Sequence, residues 1–152
     1  MKRFKFSLQT VHDLRVNSRD QAEQALAAAS ASVSEAAARV EEMERLRRAA
    51  AEDHAAKLQS GAVDPFEAAL FVNYMHAMAK RETEARRRLS MLERERDARR
   101  ELAVEAARHA ETTTKLRERH RERHAAESAS AEQNMLDEMA TLAVARRPLS
   151  NT

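Results

Sequence analysis

Helix breakers are nearly missing from this chain: 152 residues contain one glycine and two prolines. Gly61 and Pro65 bracket a single interruption, Gly61-Ala62-Val63-Asp64-Pro65, and the next breaker is Pro148. Nothing between Phe66 and Arg147 tells a helix to stop. Cysteine is absent, which excludes disulfides and thiolate metal sites and fits a reducing cytoplasm. Aromatics make up only 3% of the residues and tryptophan is absent, so a large globular core is excluded. No apolar run approaches the roughly 20 residues of a membrane-spanning helix. The basic start Met1-Lys2-Arg3-Phe4-Lys5-Phe6 is followed by Ser7, Gln9, Thr10, His12 and Asp13 where a signal peptide needs an apolar stretch. The expectation is a protein that is neither exported by that route nor inserted directly into a membrane.

A charge of one sign is also missing, since 27 Lys and Arg face 25 Asp and Glu for a formal net charge of +2. Arg86-Arg87-Arg88, Arg99-Arg100 and the alternation from Arg117 to Arg123 are interleaved with Glu82, Glu84, Glu93, Glu95, Glu118 and Glu122 at helical contact spacing. These runs read as solvated helix faces, and no nucleic acid partner is expected. What remains is 43% hydrophobic residues, alanine foremost, and 34% charged ones. That is the composition of long helices and coiled coils.

The pattern therefore predicts an all-α protein, an antiparallel two-helix coiled-coil hairpin forming a single elongated domain over residues 1–152. The first helix is expected over about 8–58, with Ser7 as N-cap and Phe6 and Val11 as a hydrophobic staple. Its apolar residues recur as Leu8, Val11, Ala22, Ala25, Ala29, Val33, Ala36, Val40, Met43 and Ala50. A turn over 59–64 follows. The second helix, about 65–146, is announced by Asp64 at N-cap, Pro65 at the first position and Glu67 at the third. Its stripe continues as Phe66, Leu70, Met78, Ala85, Leu89, Leu92, Ala103, Ala106 and Ala110.

Antiparallel pairing makes residue numbers across the seam add to about 125. Val33 then meets Leu92, Ala36 meets Leu89, Val40 meets Ala85, and Leu8 meets Arg117. At 1.5 Å per residue the arms span about 75 Å and about 120 Å, so the longer second helix overhangs at the terminal end. Residues 118–147 are expected to have no partner within the chain. Within that overhang Met135, Leu136, Met139, Leu142 and Ala143 restore an apolar stripe, which implies burial against another protein. Toward the turn, Phe66, Phe71 and Met75 are expected to close the tip over His54 and Leu58.

The remaining patterns carry no catalytic chemistry. One glycine cannot build a phosphate-binding loop, and two helices offer no pocket that would desolvate a carboxylate or histidine. His120 and His124 stand four apart, a metal-binding spacing, but Arg117, Arg121 and Arg123 surround them and no third ligand is near. They read as solvated helix histidines. No enzyme activity, metal or cofactor is expected.

The run Phe6-Ser7-Leu8-Gln9-Thr10-Val11-His12-Asp13-Leu14-Arg15, the hairpin, Asn73-Tyr74 after the turn, and the tail Leu136-Asp137-Glu138-Met139-Ala140 closed by Arg146-Arg147-Pro148 together resemble the FliJ family over the full length. The resemblance implies a stalk protein of the bacterial flagellar type III export apparatus. Such a protein stands in a hexameric export ATPase, contacts the cytoplasmic part of the membrane export gate and recycles export chaperones. It would be cytoplasmic and peripherally associated with the inner membrane at the flagellar base. By position, the resemblance makes Leu8, Val11, Arg15, Asp137, Glu138, Met139, Leu142 and Arg146 candidate contacts to the ATPase ring. It makes Val40, Met43, Phe71, Tyr74 and Met78 candidate contacts to the gate. An equivalent stalk of a virulence secretion system, or a dimerising coiled-coil adaptor, remains open at this point.

Overall fold

A computed structural model describes residues 4–61 and 63–145. It is an antiparallel hairpin of two helices, α1 from Gln9 to Gln59 and α2 from Pro65 to Ala145, with no strand among the described residues. Local chemistry accounts for the helix ends. At the close of α1 the Ser60 amide donates to the Ala56 carbonyl at 3.2 Å and the Gly61 amide to the Leu58 carbonyl at 3.1 Å. Gly61 itself takes a φ of 70°, a left-handed conformation that a side chain resists, which is why the one glycine stands here. At the start of α2 the Asp64 carboxylate accepts from the Phe66 and Glu67 amides, so it satisfies donors that no helical carbonyl can reach. Pro65 fills the first position, and Glu67 supplies an acidic group in the first turn.

The start of α1 differs from expectation. The helix begins at Gln9, whose amide donates to the Phe6 carbonyl at 3.1 Å, and Ser7 lies in the preceding turn. Phe6 is buried while Val11 is 39% exposed. The phenyl ring turns toward α2, where it meets the His120 ring edge-on at a centroid distance of 5.7 Å. The staple expected over Val11 gives way to a contact between α2 and the segment that precedes α1.

Residue contacts group the chain into two units. The first comprises 20–105. Its buried apolar residues are Ala36, Val40, Met78 and Ala103, flanked by half-buried Val33, Met43, Ala50, Met75, Ala85, Leu89 and Leu92. His54 stacks on Phe71 at 3.8 Å with the planes 10° apart, a pair whose numbers add to 125. This stacked pair occupies the tip, whereas Phe66 and Leu58 stay mostly exposed. The closure expected of all these side chains is made by His54 and Phe71. Farther along, the small residues Ala25, Ala28, Ala29 and Ser32 of α1 line a shallow groove with Leu92, Glu95 and Arg99 of α2.

One charged side chain lies in this seam. Glu82 is buried between Arg47, 3.1 Å from one carboxylate oxygen, and Arg86, 2.8 Å from the other. Arg86 also reaches Glu44 across the helices. The Arg47 contact is close but poorly aligned, so that oxygen has a charge beside it without a hydrogen bond. Buried carboxylates are costly unless paired, and pairing on both sides explains how this one is tolerated.

The second unit comprises the N-terminal residues through Arg19 with those from Ala106 onward. Ala110, Thr113, His12 and Phe6 are its buried residues. Leu8 and Val11, expected in the seam, are 40% and 39% exposed. His12 takes the inward place instead, with Nδ1 3.4 Å from the Thr113 hydroxyl. That hydroxyl donates to the Ala110 carbonyl at 2.9 Å, which leaves its oxygen free to accept from the imidazole. Arg15 donates to the His109 carbonyl at 3.4 Å.

Candidate binding surfaces

The extended residues before α1 cover part of the stretch expected to be bare. Phe4 meets His124 at 5.6 Å and Phe6 meets His120 at 5.7 Å, both edge-on. Two residues of extended chain rise about 7 Å and four residues of helix about 6 Å. Phenylalanines spaced by two therefore match histidines spaced by four. The reading of His120 and His124 as solvated is corrected: each is half-buried under an aromatic ring. Among the described residues, no group of three or more His, Cys, Asp or Glu could hold a metal ion.

Farther along α2, residues 131–143 are exposed throughout. Met135, Leu136, Met139 and Leu142 are between 58% and 63% exposed. Met135, Met139 and Leu142 follow one another at four and three residues, which puts them on one side of α2. The Asp137 carboxylate accepts from Gln133 at 3.1 Å, and the Asp137 carbonyl accepts from the Thr141 hydroxyl at 2.8 Å. Those bonds are internal to the helix. They leave the apolar side chains as the uncommitted part of this surface, beside a shallow hollow lined by Asn134, Asp137, Glu138, Thr141 and Leu142.

The candidate ring contacts thus fall into two patches. Leu8, Val11 and Arg15 lie level with the covered part of α2, near His109 to His120. Asp137 to Leu142 begins 17 residues past His120, about 26 Å farther along the helix. Arg146 lies outside the described residues. The candidate gate contacts divide too. Val40 and Met78 are 7% exposed and hold the seam, Met43 is half-buried, and Phe71 stacks on His54. Tyr74 alone of the five presents an exposed side chain, 44% accessible. Phe66 and Leu70, at four-residue intervals before it, are exposed on the same side.

Titration is perturbed at three exposed groups chiefly by near neighbours on the same helix, with the Glu67 charge of α2 a lesser cause at Lys57. Arg45 is raised by its hydrogen bond to Glu42 and then by that charge, and Lys57 likewise by Asp53. Glu111 is lowered by its hydrogen bond to Lys115 and then by the ammonium charge. Such pairs are those of a solvated helix surface rather than of a catalytic site.

Fold and surfaces together define a two-helix hairpin whose α2 carries an exposed apolar stripe over Met135 to Leu142. No helix among the described residues is long and apolar enough to cross a membrane. The family model described as "Flagellar FliJ protein" matches residues 4–149, and the chain belongs to the FliJ family. That membership associates it with flagellar protein export. No curated protein and no solved structure matches the chain.

Proposed function

We propose that this protein is the stalk and escort of the flagellar export apparatus. It binds the export ATPase hexamer through the end that carries both termini, and couples that ring to the cytoplasmic part of the export gate and to export chaperones. It would do so at the cytoplasmic face of the inner membrane. The observation that carries this reading is the uncovered stripe Met135, Leu136, Met139 and Leu142, which lies inside the family match. A helix face of this kind is stabilised only when another surface covers it. Asp137 and Glu138 flank the stripe and orient it toward a polar rim, while Leu8, Val11 and Arg15 supply a second contact nearer the seam. Tyr74, with Phe71 behind it, is the part of the turn-proximal set able to meet the gate.

The decisive variant carries Met139→Ser and Leu142→Ser together. Both side chains are exposed, so the hairpin should melt within the span that surface changes usually allow, about ±0.5 kcal/mol per site. Stimulation of ATP hydrolysis by the export ATPase should be lost. Equal stimulation by the two proteins would remove the stripe as the ring contact.

A further inference from the structure

With no cysteine and no tryptophan in the chain, the thioethers of methionine are its most readily oxidised groups. Six of the seven methionines lie among the described residues, and burial sorts them into two sets. Met43, Met75 and Met78 are half-buried or buried in the seam, whereas Met91, Met135 and Met139 are 70%, 63% and 58% exposed. Two of the exposed three stand four residues apart on the open stripe and make up half of its large side chains.

We propose that Met135 and Met139 form a reversible oxidation site through which a peroxide releases the partner bound to this stripe. The inference rests on the stripe being the docking surface. In the step itself a thioether sulfur attacks one peroxide oxygen. The O–O bond breaks as an S–O bond forms, the sulfur is oxidised by two electrons to the sulfoxide, and the peroxide is reduced to water. A dithiol reductase reverses it, becoming a disulfide as water is released. Each sulfoxide turns a soft apolar contact into a strongly polar one that a docked partner would have to desolvate. The hairpin itself is spared, because neither side chain contributes to its seam.

The test treats the full chain with hydrogen peroxide, removes the oxidant with catalase, and maps the oxidised methionines by peptide mass. Circular dichroism and the concentration needed for half-maximal ATPase stimulation are then measured. Oxidation should reach Met91, Met135 and Met139 before the seam methionines and leave melting unchanged. The half-maximal concentration should rise about tenfold, and methionine sulfoxide reductase should restore it. Met91→Leu should behave as the parent does, including its loss on oxidation. The pair Met135→Leu and Met139→Leu should show the same half-maximal concentration before and after peroxide, whatever its starting value. Undiminished stimulation by oxidised parent overturns the switch, as does continued peroxide sensitivity of the double leucine variant. Untreated parent that stimulates nothing overturns the docking reading, and the switch with it, and is distinguishable because it fails before any oxidant is added.

Discussion

The unit formed by residues 20–105 and the unit formed around the termini close the same two helices by different means. The first relies on small and branched apolar side chains, Ala36, Val40 and Met78, with one buried carboxylate held between two arginines. The terminal unit relies on polar and aromatic matches: His12 against Thr113, Phe6 against His120 and Phe4 against His124. Apolar seams tolerate sliding by a heptad, since one leucine or alanine resembles the next. Ring pairs and a buried charge do not, because each needs one particular partner. The hairpin thus gains stability from its apolar layers and its register from the exceptions.

That contrast is broken most severely at Val40. Val40→Asp places a carboxylate at a buried position of the apolar seam. We expect a loss of about 3 kcal/mol or more, read as a fall in helicity and melting temperature by circular dichroism. An unchanged melting curve would mean that Val40 is solvated and that the seam runs along another face.

The terminal unit offers a milder test. A double-mutant cycle on Phe6→Ala and His120→Ala isolates the ring contact from the burial that each side chain contributes separately. Edge-on aromatic pairs couple by about 0.5–1.5 kcal/mol, and a value in that range is expected from denaturant unfolding. Strict additivity of the two single changes would show that the N-terminal segment packs elsewhere in solution.

The same contrast explains what sequence reading reaches. The turn chemistry was legible, since Gly61, Asp64 and Pro65 each fill a position that few other residues suit. The apolar layers Ala36, Val40 and Met78 were legible from their spacing. Polarity misleads where the helical period is the better guide. Carrying the three-four spacing back from Val33 through Ala29, Leu26, Ala22, Arg19 and Arg15 arrives at His12, yet Leu8 and Val11 attract attention because they are apolar. Similarly, Met75, Met78, Ala85 and Leu89 leave Glu82 on the missing step. The Phe4 and Phe6 contacts lie in an extended segment to which helical periodicity does not apply. Among the candidate site residues, the stripe at Met139 and Leu142 was visible because it follows the helical period without a partner. Val40 and Met78 are bulky, and bulk at those positions belongs to the seam.

The weakest interactions of the molecule sharpen the comparison from the other side. Lys115 and Glu111 form an ion pair at 2.5 Å on the surface of α2, with both side chains about three-fifths exposed. Its hydrogen bond lowers the Glu111 pKa from the ordinary 4.5. A carboxylate depressed in the folded state contributes stability above its unfolded pKa, and that contribution fades as the pH falls through the lower, folded value. Glu111→Gln should therefore leave the melting temperature at neutral pH almost unmoved, because an exposed pair is screened and must order two long side chains. The difference between parent and variant, already small, should vanish on acidification below the folded pKa, where the parent carboxyl is also neutral. Melting curves at pH 7 and at successively lower pH, down to where the two proteins coincide, read both points. A large loss at pH 7 would mean that exposed pairs within α2 contribute far more to the hairpin than screening allows.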